Sequence, residues 1–102
     1  MPHYLWNPPA VQSLPVRGSD ARLPINRIFC VGRNYHARAI EMGRPVDKSV
    51  ERAFYFTKSP QTLVESGATV AYPPGTSNYH YEMELVLVIG KPGFRVAAED
   101  AH

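Results

Sequence analysis

The sequence holds one cysteine, so no disulfide can form within it. Cys30 sits in the apolar run Ile28-Phe29-Cys30-Val31 and is expected to be a buried thiol in a reducing, cytoplasmic compartment. Charge of one sign is also scarce: the formal net charge is +2, too small to argue for a nucleic-acid or membrane-surface partner. No apolar run approaches the roughly 18 residues that a bilayer span takes. The start, Met1-Pro2-His3-Tyr4-Leu5-Trp6-Asn7-Pro8-Pro9, has neither a basic segment nor an apolar one behind it, so it does not read as a secretory signal. Internal repeats and low-complexity tracts are missing too. What is present is 102 residues, room for one small domain at most, with 44% hydrophobic and 20% charged residues, as in globular proteins. Ten prolines favour strands and loops over long helices.

The strongest pattern is Tyr79-His80-Tyr81-Glu82-Met83-Glu84-Leu85-Val86-Leu87-Val88-Ile89-Gly90-Lys91, rich in β-branched and aromatic residues and closed by a glycine. Read as a strand, one face carries His80, Glu82, Glu84, Val86 and Val88. The other carries Tyr81, Met83, Leu85, Leu87 and Ile89. Leu85 to Ile89 is apolar on both faces, the mark of a strand covered on both sides. Glu82 and Glu84 lead into it on one face, where like charges repel and unpaired burial is costly. A divalent cation resolves both problems, since hard cations take carboxylate oxygens. So does a solvated strand end facing Lys or Arg on a neighbour.

Upstream, residues 1–23 form a Pro-rich, weakly patterned arm, with Trp6 expected to anchor it to the body. From residue 24 onward the chain reads as one domain. Arg27–Val31 is a short buried strand ended by Gly32. Asn34 is placed to cap a helix over Tyr35–Met42, which Gly43 and Pro45 stop. Arg44–Arg52 is a charged loop. Ala53–Thr57 is a second strand and Thr69–Tyr72 a third, followed by a Pro73-Pro74-Gly75 turn. After the long strand come a turn at Lys91-Pro92-Gly93 and a short return over Phe94–Val96. Val96–His102 has helix-forming composition without a C-cap, which suggests a piece cut where the next element begins.

Polar groups gather around the expected helix start. Helix N-termini favour anions, and Arg33 there can hold a carboxylate bidentately or lie on the surface. Arg38 and Glu41 are helix neighbours at i,i+3, either part of a site or an exposed ion pair. His36 lies five residues before Glu41 and, at about 100° per residue, well round the helix from it. Lys58, just past a strand, can reach a substrate anion or extend into water.

Four blocks, Arg27–Tyr35, Glu41-Met42-Gly43, Phe54–Pro60 and Tyr81–Lys91, resemble the fumarylacetoacetate hydrolase family in order and spacing. The N-terminal arm is similar to that of the family's fumarylpyruvate hydrolase subgroup. The resemblance implies a mainly β (α+β) fold: a rolled, mixed β-sheet, here incomplete, in a domain about twice this length that usually dimerises. It implies a divalent cation, Mg²⁺, Mn²⁺ or Ca²⁺, held by Glu82, Glu84 and a later Asp beyond His102. Such a cation supplies Lewis-acid stabilisation to the anion that forms as a bond breaks. The implied activity is hydrolysis of a carbon–carbon bond in a small β-diketo acid such as fumarylpyruvate. Other members decarboxylate oxaloacetate or isomerise hydroxymuconate derivatives. Arg33 and Lys58 are then expected as substrate contacts and Glu41 as the partner of a histidine in activating water.

One position departs from the family. In its short members the histidine base stands three residues before the helix glutamate, and here that place is Arg38. Arginine stays protonated and cannot serve as a base. His36 is the nearest histidine but lies two residues early. Water activation by Arg38, His36 and Glu41 therefore departs from the family's arrangement. A competing expectation follows: a catalytically silent piece, acting at most as a binding or oligomerisation module, with open sheet edges.

Overall fold

The computed structural model describes residues 1–32, 34, 43 and 52–102. It divides the chain into two compact units, Met1–Thr69 and Val70–His102. Among the described residues regular structure is mostly strand, with two single 3₁₀ turns, and no helix is long and apolar enough to cross a membrane.

The first unit contains two antiparallel ribbons. Strands β1 (Ser13–Pro15) and β2 (Arg22–Pro24) pair with Leu14 opposite Leu23 and Pro15 opposite Arg22. Gly18 makes the reversal possible. Its φ of 76° is the left-handed value a type II turn needs at its third position, and the Ser19 N–H donates to the Val16 carbonyl at 3.2 Å. The Ser19 hydroxyl accepts from the Ala21 N–H at 3.0 Å, and the Ile25 N–H donates to the Gln12 carbonyl at 2.8 Å. Arg22 ties the ribbon down. It donates to the Ser13 hydroxyl at 2.8 Å and the Ser13 carbonyl at 3.0 Å, and forms an ion pair with Glu65.

Strands β3 (Ile28–Gly32) and β4 (Phe54–Lys58) form the second ribbon. One face pairs Ile28 with Lys58, Cys30 with Phe56 and Gly32 with Phe54; the other pairs Phe29 with Thr57 and Val31 with Tyr55. The Phe54 ring lies over Gly32, and a Cβ there would come within 1.9 Å of it. On the opposite face the Arg27 guanidinium stands 5.7 Å from the Phe29 ring centroid. After β4, Ser59 caps a 3₁₀ turn over Pro60–Thr62, its hydroxyl accepting from the Gln61 N–H at 3.3 Å. Thr62 returns a side-chain hydrogen bond to the Ser59 carbonyl at 2.7 Å.

In the second unit the chain turns at Pro73-Pro74-Gly75, with Gly75 at φ 85°. Near its end Ala98–Asp100 makes one 3₁₀ turn.

Several expectations need correction. The strand over Tyr79–Lys91 does not form among the described residues, and neither do those over Thr69–Tyr72 and Phe94–Val96. A strand exists only when a partner satisfies its N–H and C=O groups, and no described segment pairs with these. The apolar row is consequently at the surface, Leu85 at 80% and Ile89 at 85% exposure. Arg95, at φ 52°, also breaks the short return. Trp6, expected to anchor the arm, is 75% exposed. Cys30 is half-buried, because a two-stranded ribbon covers neither of its faces fully. The C-terminal helix shrinks to the single 3₁₀ turn, too short to propagate. The helix over Tyr35–Met42 and nearly all of the Arg44–Arg52 loop lie outside the described residues. Gly43, its expected stop, does adopt the left-handed φ of 77°.

Candidate metal and substrate site

Glu82 and Glu84 belong to the second unit, and both are exposed. Carboxylates at alternate positions are the hard oxygen donors that Mg²⁺, Mn²⁺ and Ca²⁺ take, so the pair fits a divalent cation in kind. Among the described residues no group of three His, Cys, Asp or Glu side chains is gathered for a metal. A cation held here therefore needs ligands from elsewhere, water or substrate included.

The chain enters this pair from a loop built on its own side chains. The Tyr72 hydroxyl accepts from the Tyr79 N–H at 3.1 Å, and the two rings meet edge to face at 5.4 Å with planes 80° apart. Inside the loop the Thr76 hydroxyl accepts from the Asn78 N–H at 3.0 Å. His80 Nε2 and Asn78 Oδ1 form a short hydrogen bond, which leaves the ring held two residues before Glu82. Sequence reading marked the Pro-Pro-Gly turn but not this closure. The Thr76-Ser77-Asn78 run, rich in residues that bond to nearby backbone, was the available signal.

Lys58 is the last residue of β4 in the first unit, opposite Ile28 and on the face of Phe54 and Phe56. It is exposed, as expected of a side chain free to reach an anion or water. The ribbon beneath it is exposed along all of β4, in contrast to the buried strand expected there. Arg33, His36, Arg38 and Glu41 lie outside the described residues. Asn34, between them, is exposed.

Residues 27–102 match the fumarylacetoacetate (FAA) hydrolase C-terminal family. The chain belongs to the fumarylacetoacetate hydrolase family. Within it, the chain is 88% identical over 61 residues to a fumarylpyruvate hydrolase of Ralstonia, covering 60% of this chain and 32% of the relative. It is 45% identical over 80 residues to an oxaloacetate tautomerase of Bacillus subtilis, covering 78% of this chain and 26% of that one. The fumarylpyruvate hydrolase of Pseudomonas aeruginosa, solved with Mn²⁺ and pyruvate, superposes with a TM-score of 0.67 at 45% identity, over 78% of this chain and 35% of that structure. The chain thus spans about a third of the length of these relatives.

Proposed function

We propose that the protein carrying this chain is a divalent-cation-dependent hydrolase that cleaves a carbon–carbon bond in a small β-diketo acid, with fumarylpyruvate as the substrate. The observation that carries the reading is the 88% identity to a fumarylpyruvate hydrolase over 61 residues. The relative solved with Mn²⁺ and pyruvate supports a cation and a small keto acid as its companions.

In this reading residues 24–102 form the N-terminal half of the catalytic domain behind a 1–23 arm. The sheet is completed by the remainder of the domain into a rolled mixed sheet, and the protein is a homodimer. Glu82 and Glu84 hold the cation, whose chemistry is Lewis-acid stabilisation of negative charge on the substrate. Arg33 and Lys58 bind the substrate carboxylates, Arg33 as a planar fork and Lys58 as a mobile point charge. Glu41 orients water. Arg38 stands three residues before Glu41, where the family has its histidine, and an arginine stays protonated, so proton removal is the slow part of the reaction.

A second reading, interconversion or decarboxylation of oxaloacetate, is favoured by the 45% identity to an oxaloacetate tautomerase. It asks less of a water-activating base, which suits an arginine at position 38. Steady-state assay of the full-length protein with Mn²⁺ or Mg²⁺ against fumarylpyruvate, acetylpyruvate and oxaloacetate separates the two. Turnover of fumarylpyruvate to fumarate and pyruvate is expected. Turnover of oxaloacetate alone transfers the assignment to the second reading, and turnover of none leaves the silent module.

A further inference from the structure

We draw no further inference here: the strongest candidate, the exposed apolar row of Tyr81, Met83, Leu85, Leu87 and Ile89 in the second unit, carries nothing, because nothing in the structure shows what covers it.

Discussion

Replacing Gly32 with alanine should reverse its effect according to whether Phe54 is present. The Phe54 ring occupies the space of the missing side chain: a Cβ on Gly32 would stand 1.9 Å from Cζ and 2.1 Å from Cε2. In Gly32→Ala the ring must swing away. Phe54 is 51% exposed, so about half of a side chain of roughly 200 Å² is now out of water. At about 25 cal/mol per Å², giving up that cover costs at most about 2.5 kcal/mol. Alanine returns about 0.5–1 kcal/mol by restricting the unfolded chain. Gly32→Ala alone should therefore destabilise by about 1–2 kcal/mol. In a Phe54→Ala background there is no ring to displace, and the same change should stabilise by about 0.5–1 kcal/mol. Urea unfolding of the four proteins, followed by far-ultraviolet circular dichroism, measures both steps of the cycle. An equal change in the two backgrounds would refute the packing of Phe54 on Gly32.

Arg22→Ala should lower stability by about 1 kcal/mol through loss of the Ser13 hydrogen bonds. Its coupling to Glu65→Ala should be only about 0.5 kcal/mol and fade at high salt, because both side chains are about half exposed; a coupling that survives high salt contradicts this. Arg38→His in the full-length protein should raise hydrolytic turnover by about 10²–10⁴-fold, the usual worth of a general base. Should His36→Ala abolish turnover while Arg38→His does nothing, His36 is the working base and the helical register assumed for residues 35–42 is wrong.

What could be read in the sequence depended on whether a pattern found its partner within the chain. The strands near Phe29 and Phe56 were legible to within a residue, because their apolar runs end at Gly32 and at Ser59-Pro60 and pair with each other. The hairpin of Ser13–Pro15 and Arg22–Pro24 was not. Each of its strands is three residues long and contains a proline, tolerated because both strands of a two-stranded ribbon are edges. The Tyr79–Lys91 segment had the strongest local signal and forms no ladder among the described residues, since strand propensity describes a surface waiting for neighbours. Of the candidate site, Glu82 and Glu84 were singled out by spacing and family likeness, and Lys58, expected just past a strand, is the last residue of β4. The Tyr72 closure was missed because one hydroxyl bonding a backbone seven residues away leaves no periodic trace.

The exposed row from Tyr81 to Ile89 has a consequence for chemistry in the test tube. Leu85-Val86-Leu87-Val88-Ile89 is free of charge and of proline and has high β-propensity, the make-up of a segment that stacks into intermolecular sheets. Glu84 on one side and Lys91 on the other flank it as charged gatekeepers. The carboxylates proposed to hold a cation therefore also keep neighbouring molecules apart, and a cation that neutralises them removes part of that repulsion. Added metal and Glu→Ala substitutions should push the isolated chain in the same direction, toward assembly. Metal affinity in the glutamate variants has to be measured on material shown by light scattering to be monodisperse, or a precipitate will pass for a lost ligand.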